Sequence, residues 1–159
     1  IRPGLIQYRL WFDPEALESL AKLFREKGFI GALLLHPDPH EPGINRLIGG
    51  ERSWRAGMTN RMPDFPAFVI EGLTEVEIAE LAFTHNSASE ALSIYENTLG
   101  MLDILRRNLN LPPEAVVKIL YRMEAELRAW RRGNPGQANP PVASYSQIPE
   151  ARAVEEVFD

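Results

Sequence analysis

The sequence predicts an α+β fold, in which a small mixed-sheet domain is followed by an all-helical segment. Short strand-like runs alternate with helical periods through the first 90 residues, whereas only helical periods follow. A chain of 159 residues is also long enough to bury one sizeable core with an appended segment. We therefore place a domain at residues 1–90 and a helical segment at residues 91–159, with a Pro/Gly-rich loop at residues 133–149.

Strands are indicated where short apolar or β-branched runs are bounded by glycine and proline. On this criterion, strands are predicted at residues 5–8, 32–36, 44–48 and 66–70. A proline-rich turn at residues 37–43 separates the second strand from the third.

Helix starts carry the strongest local signals. Asp13 followed by Pro14 is a side-chain cap followed by proline at the first helical position. Thr74 and Ser93 each open a capping box with a glutamate three residues later. These caps and the apolar period predict helices at residues 14–27, 51–57, 74–85, 93–108, 113–130 and 150–158.

Composition excludes several classes of protein. Hydrophobic residues make up 45% of the chain and charged residues 25%, which excludes wholesale disorder. No apolar run reaches the length of a membrane span, so no membrane partner is expected. The absence of cysteine excludes a disulfide framework and fits a cytoplasmic location.

The charge is unevenly distributed along the chain. The net charge is −5, and the first 100 residues carry 9 Lys/Arg against 14 Asp/Glu, whereas residues 101–159 carry 8 of each. An acidic chain repels phosphate backbones at long range, so the main DNA-reading element is expected elsewhere, beyond this chain.

A glycine turn between a predicted strand and a predicted helix is the most informative motif. Gly49 and Gly50 let the backbone approach a ligand, and the helix that follows offers amides together with Arg52 and Arg55. That arrangement suits an anion. Taken alone, the motif is more often a tight turn with two solvated arginines.

Four stretches follow one another along the first 100 residues. Gln7-Tyr8-Arg9 leads into a helix of Leu-x-x-Leu-Ala type at residues 17–21, and residues 26–30 continue it. Residues 50–56 read Gly-Glu-Arg-Ser-Trp-Arg-Ala, and residues 86–96 form the last stretch. In order and in spacing, these stretches resemble the ParB/sulfiredoxin-like family, and within it the amino-terminal part of plasmid-type ParB partition proteins. Residues 50–56 are similar to the family's Gly-Glu-Arg-Arg-x-Arg-Ala box, and residues 86–96 to its Glu-Asn-x-Gln-Arg box and the stretch that follows.

The resemblance implies a pocket for cytidine triphosphate (CTP) and Mg²⁺. By matching position, Gly50, Glu51, Arg52 and Arg55 take a phosphate-binding role, and Asn86 takes a phosphate-binding or metal-placing role. We expect the glycine turn to aim Arg52 and Arg55, together with Asn86, into one anion-accepting hollow.

Four positions depart from the family pattern. Ser53 replaces an arginine, His85 replaces a glutamate, and Ala88 and Ser89 replace the Gln-Arg ending of the second box. Each lost charge-assisted contact is worth roughly 1.5–3 kcal/mol when well formed. The departures predict weakened nucleotide affinity and argue against efficient hydrolysis.

A metal-dependent DNA nuclease is the alternative function, because some relatives with this domain are described as ParB-like nucleases. Its candidate catalytic residues are Glu51, His85 and Glu90. For His85, a general base or metal ligand competes with a polar residue at a helix end, which we favour. Sulfiredoxin chemistry is excluded, because it requires a cysteine.

Two further sites are interpreted as structural. His36 and His40 lie near Asp38 and Glu41 in a spacing that would permit a metal, but such turns are usually solvated loops. Trp54 could stack on a base, but a core position is the better interpretation.

The helix predicted at residues 113–130 and the residues just after it are locally basic. Residues 109–117 resemble the start of a helix-turn-helix module in plasmid-type family members. A DNA-facing stripe and a solvated helix face are equally compatible with the pattern. The basic residues are Lys118, Arg122, Arg128, Arg131 and Arg132. The resemblance also implies a homodimer and a partition ATPase as partners.

Overall fold

The computed structural model describes residues 1–89 and 92–134. Within them, five helices and three strands follow in this order: α1 Pro14–Lys27, β1 Leu33–Pro37, β2 Asn45–Gly49, α2 Glu51–Thr59, β3 Ala67–Val69, α3 Glu75–Ser89, α4 Ile94–Leu109 and α5 Pro113–Gly133. Glu90, the helix predicted at residues 150–158 and most of the predicted loop at residues 133–149 lie outside the described residues.

The three strands form one mixed sheet in the order β2-β1-β3. β1 pairs antiparallel with β2 and parallel with β3. A short turn suffices for the antiparallel pair, whereas the parallel pair needs a crossover, which contains α2. The α+β class with a small mixed sheet is confirmed.

The predicted opening strand at residues 5–8 is wrong. Arg2 makes an isolated parallel bridge with Arg46, through hydrogen bonds to the neighbouring residues Asn45 and Leu47. Pairing ends there because Pro3 has no backbone N–H to donate to the ladder. The rest of this opening segment, residues 1–13, crosses to α1 without regular structure.

Two buried clusters hold the first part of the chain together. Leu33, Leu35 and Leu47 join β1 to β2. Ala21, Phe24 and Ala56 join α1 to α2. The two clusters share the partly buried Phe29, and Trp54 packs on the first of them, as the sequence predicted.

The predicted caps form. The Asp13 carboxylate accepts the Glu15 amide at 3.0 Å. Thr74 and Glu77 exchange side-chain and backbone hydrogen bonds, as do Ser93 and Glu96. Helix α3, however, continues to Ser89, past the predicted end at residue 85, because nothing in its last turn is a helix stop signal.

The chain divides into two compact units, Ile1–Leu99 and Gly100–Asp159. In the described part of the second unit, Leu105, Val116 and Ile119 form a separate buried cluster. The domain boundary at residue 90 stays a prediction. No described helix has the length and apolar character required to cross a membrane.

Gly50 is the position where backbone conformation constrains the fold most. It has φ +90°, and a Cβ there would lie 2.8 Å from Leu33 Cδ2, a side chain with no exposed surface. Gly43 has φ +81° but open space around it.

We expect Gly43→Ala to lower the free energy of unfolding by about 1–2 kcal/mol, which is the usual cost of a left-handed alanine. Gly50→Ala should lose roughly 1–3 kcal/mol more, because the Leu33 side chain must repack. Urea denaturation of both variants measures the difference. Equal losses would show that the Leu33 contact carries no constraint.

Candidate functional site

A hollow in the first unit lies beside the glycine turn. It has a volume of about 210 Å³ and is bounded by the opening segment, α1, the start of α2 and the last turns of α3. Its lining residues are Arg9, Phe12, Leu20, Gly50, Glu51, Arg52, Ser53, His85 and Asn86. We call this hollow the arginine pocket.

The glycine turn allows α2 to begin at the wall of the arginine pocket. Gly50 caps the helix in the left-handed conformation, and the first intrahelical bond runs from the Trp54 amide to the Gly50 carbonyl at 2.9 Å. The first amides of a helix have no intrahelical acceptor and carry the positive end of the helix dipole. The turn therefore points a partial positive charge into the hollow.

Arg52 and Asn86 both line the arginine pocket, as the sequence predicted. Asn86 is partly fixed, because its side-chain amide donates to the Ala82 carbonyl at 2.8 Å. Residues from a helix start and from a helix near its end thus meet at one hollow.

Arg55 does not line this pocket. Its Nε donates to the Glu51 carboxylate at 2.8 Å, and its guanidinium lies 4.2 Å from the centroid of the Phe12 ring. Positions four apart on a helix face the same side, so Glu51 and Arg55 pair with each other. Arg55 thus contacts two lining residues and is not itself part of the lining.

Arg9 is the functional candidate that the sequence reasoning missed. It is buried, with 8% of its surface exposed, and it lines both the arginine pocket and a smaller hollow of about 80 Å³. Arg52 lines both hollows as well. The sequence signal that points to Arg9 is its place in the Gln7-Tyr8-Arg9 stretch, which resembles a family motif but was assigned no site role.

Glu96 fixes the backbone on which Arg9 sits. One carboxylate oxygen accepts the Leu10 amide at 2.6 Å and the Trp11 amide at 3.4 Å, and the other oxygen accepts the Ser93 amide and hydroxyl. Burial raises the pKa of Glu96, but the hydrogen bonds from Ser93, Leu10 and Trp11 outweigh burial and lower the pKa to about 2. The α4 cap therefore doubles as an anchor for the opening segment.

His85 was expected at a helix end, and that interpretation is wrong. It lies one turn before the end of α3 and lines the pocket. Its imidazole lies against Gly49, where an added Cβ would be 2.5 Å from the ring Cγ. Its buried Nδ1 has no hydrogen-bond partner among the described residues.

The interpretation of His36 and Asp38 as parts of a solvated loop is also wrong. His36 is 5% exposed and belongs to β1, and Asp38 is 6% exposed. Backbone hydrogen bonding from His40 and the bonded Arg46 guanidinium lower the pKa of Asp38 despite its burial. Asp38 therefore stabilises the turn between β1 and β2 through these hydrogen bonds. Across the described residues, no group of three or more potential ligands could hold a metal ion.

Comparison with known proteins identifies the family. A family model, the ParB N-terminal domain, matches residues 1–87. This chain belongs to the ParB family. Every residue that lines the arginine pocket falls within the matched ParB region.

Curated ParB relatives extend the match. The probable plasmid-partitioning protein ParB of Thermus thermophilus is 34% identical over 144 residues, which covers 91% of this chain and 44% of that protein. The chromosome-partitioning protein Spo0J of the same organism is 38% identical over 111 residues, covering 69% and 39%. A nucleoid occlusion protein of Bacillus pumilus is 32% identical over 120 residues, covering 76% and 40%. The chain spans less than half the length of these relatives.

Solved ParB structures share the fold. The C-terminally truncated chromosome-partitioning protein ParB from Caulobacter crescentus, complexed with CTP-gamma-S, matches with a TM-score of 0.52 at 20% identity, covering 99% of this chain and 93% of that one. The same protein complexed to the centromeric parS site matches with a TM-score of 0.51 at 22% identity, covering 98% and 91%.

The donor set of this ParB pocket does not suit a divalent metal. Mg²⁺ in nucleotide sites is held by one or two protein carboxylates together with waters and substrate phosphates. The pocket lining contains one carboxylate, Glu51, which is 7% exposed and bonded to Arg55, and it contains two guanidinium groups, of Arg9 and Arg52. The described lining suits an anion.

The basic residues of α5 are all exposed. At about 3.6 residues per turn they lie on one half of the helix, opposite the half that carries Val116 and Ile119. Arg128 is paired with Glu124 at 2.5 Å. The residues on this basic face are Lys118, Arg122, Arg128, Arg131 and Arg132.

The lowered pKa of Glu96 predicts how the stability of the fold depends on pH. Its pKa in the folded state, about 2, lies below the ordinary value of 4.5, so its contribution to stability is fully present above about pH 4.5. The contribution is lost as the pH falls toward 2. At neutral pH we expect Glu96→Gln to lower the free energy of unfolding by about 1.5–3 kcal/mol, and this difference from wild type should narrow in acid.

Denaturant unfolding at a series of pH values measures this effect. Glu77→Gln is the matched control, because Glu77 closes the same type of capping box on an exposed helix start. It should lose about 0.5–1 kcal/mol. A Glu96→Gln deficit that is as large at pH 2 as at pH 7 would contradict the anchor.

Proposed function

We propose that this chain is the nucleotide-pocket region and helical arm of a ParB-type DNA partition protein, with the arginine pocket as its site for CTP phosphates. The observation that carries the proposal is the meeting of Arg52 and Asn86 beside the glycine turn. Guanidinium groups and helix-start amides both suit phosphate, the first through bidentate hydrogen bonds and the second through unpaired N–H donors.

The comparisons support this assignment. The Caulobacter protein that shares the fold was solved with a CTP analogue, and the same protein was solved with its parS site. Curated relatives act in plasmid or chromosome partitioning by their names. We propose that in this chain nucleotide binding controls how the protein holds DNA during segregation.

Within the pocket, we assign direct phosphate contact to Arg52, to Asn86 and to the backbone at Gly50. Glu51 and Arg55 support them, since their ion pair fixes the first turn of α2. Arg55 also lies over the ring of Phe12, which is itself part of the lining.

The phosphate site is weakened relative to the family pattern. Ser53 lines the pocket without a charge, and His85 fills a position where the family carries a carboxylate. Ala88 and Ser89 lack the amide and the guanidinium of the family's second box. We therefore propose low nucleotide affinity and, at most, weak CTP hydrolysis.

DNA binding, dimer formation and interaction with a partition ATPase belong to the same proposal. On this chain the exposed basic half of α5 supports DNA contact, because Lys and Arg on one helix face neutralise phosphates without reading sequence. We propose a cytoplasmic homodimer, with sequence reading carried by residues beyond Asp159.

The nuclease alternative is not favoured by the described residues. Glu51 is buried and paired with Arg55, so it is poorly placed to hold a metal or to activate water. The imidazole of His85 lies against Gly49, and its Nδ1 is buried. Glu90, the third candidate, lies outside the described residues.

Labelled CTP should bind the chain saturably, with half-saturation below millimolar ligand. Arg52→Gln should weaken binding by about tenfold to a hundredfold, because one charge-assisted contact is lost. Arg55→Gln should weaken it less, since Arg55 acts through Glu51. Arg25→Gln, on the exposed surface of α1, is the control and should bind as wild type. Absence of saturable binding at millimolar CTP would remove the nucleotide pocket from the proposal.

A second test addresses DNA. In a chain extended beyond Asp159 to the length of its relatives, the paired change Lys118→Gln and Arg122→Gln should weaken DNA binding equally for all sequences. The slope of log affinity against log salt should become shallower by about 0.9 for each lost phosphate contact. The matched control changes Arg106 and Arg107, which pair with Asp103 on α4. An unchanged slope in the α5 variant would contradict a DNA-facing α5.

A further inference from the structure

We propose that the arginine pocket binds phosphate without a divalent cation, because Arg9 and Arg52 supply the positive charge that a metal would otherwise bring. The inference rests on the proposed function and narrows it to a ligand, the metal-free polyphosphate anion. It also assigns Arg9, a residue of the opening segment, to phosphate binding.

The carboxylate chemistry of the pocket is the first argument. A protein-bound Mg²⁺ keeps near-ideal octahedral geometry and takes one or two carboxylates beside its waters and phosphates. Glu51 is the one carboxylate in the pocket lining, and its Oε1 accepts the Arg55 Nε at 2.8 Å. To bind a metal, Glu51 would have to break that ion pair. Only 7% of the Glu51 residue is exposed.

His85 is the second argument. Its ring lies against Gly49, and its Nδ1 is buried. An imidazole nitrogen is a poor ligand for Mg²⁺, which prefers oxygen. The side chain that occupies the carboxylate position of the family pattern therefore offers the cation no anionic oxygen.

The placement of two guanidinium groups is the third argument. Arg9 and Arg52 line the arginine pocket and also the adjoining smaller hollow, so the two groups border one continuous region of the surface. Guanidinium binds phosphate oxygens in a bidentate fork, whereas two such charges repel a dication.

The fixed position of Arg9 is the fourth argument. Its own amide donates to the Gln7 side chain at 2.9 Å, and the two following amides are held by Glu96. Arg9 is also 8% exposed, so its long side chain is already largely ordered. A phosphate that meets an ordered guanidinium avoids part of the entropy of immobilising it.

The test is calorimetric titration of the 159-residue chain with CTP, once with Mg²⁺ and once with a chelator, and a parallel titration with inorganic tripolyphosphate. CTP should bind at least as tightly in chelator as in Mg²⁺, because the metal-free ligand carries more negative charge. Arg9→Gln should weaken binding by about tenfold to a hundredfold in both conditions. Arg25→Gln should leave it unchanged.

A variant whose CTP binding should become dependent on Mg²⁺ tests the same point in the opposite direction. His85→Glu places a carboxylate beside Asn86 and should make CTP binding weaker in chelator than in Mg²⁺. His85→Gln, which adds no charge, should stay metal-independent. Thermal unfolding of both variants confirms that they fold.

Three outcomes overturn the inference. A tenfold or larger loss of wild-type CTP affinity in chelator shows that a metal is needed, and if Glu90→Gln abolishes that dependence, Glu90 is the missing ligand. CTP binding that is unaffected by Arg9→Gln removes Arg9 from the site and leaves the proposed function standing. Absence of binding by CTP and by tripolyphosphate in both conditions overturns the proposed function together with the inference.

Discussion

The glycine turn between β2 and α2 is the constraint on which the site depends. Gly50 adopts a left-handed conformation against the fully buried Leu33, and Gly49 lies under the imidazole of His85. Side chains at either position would push apart the sheet, α2 and α3 at the place where they meet. Because both residues are glycines, the start of α2 and the last turns of α3 approach closely enough to border one small hollow.

A second constraint comes from Glu96, which connects two segments distant in sequence. A capping glutamate normally satisfies the backbone of its own helix start. Here the same carboxylate also accepts the Leu10 and Trp11 amides, and this places Arg9 at the pocket wall. The Glu96 carboxylate thereby stabilises the start of α4 and also orders the backbone that carries Arg9. The presence of the Arg9 charge at the pocket wall therefore depends on a helix cap that lies outside the pocket.

The arginine pocket differs from the pocket implied by family resemblance in the origin of its charge. Arg55 is turned toward Glu51 and Phe12, and Arg9 takes a place in the lining. The lining therefore still presents two guanidinium groups. On the proposed function, a pocket with histidine in place of a carboxylate at position 85 keeps a surface suited to phosphate.

The sequence by itself determined the features that depend on residues close together along the chain. The Asp13 cap, both capping boxes, the glycine turn, three of the four predicted strands and the convergence of Arg52 with Asn86 were predicted, because short-range hydrogen bonds and family spacing specify them. Only the tertiary structure decided where Arg9, Arg55 and His85 point. Each of these orientations depends on a partner far away in the chain, such as Phe12 for Arg55 and Gly49 for His85, and a contact of that kind leaves no local pattern in the sequence.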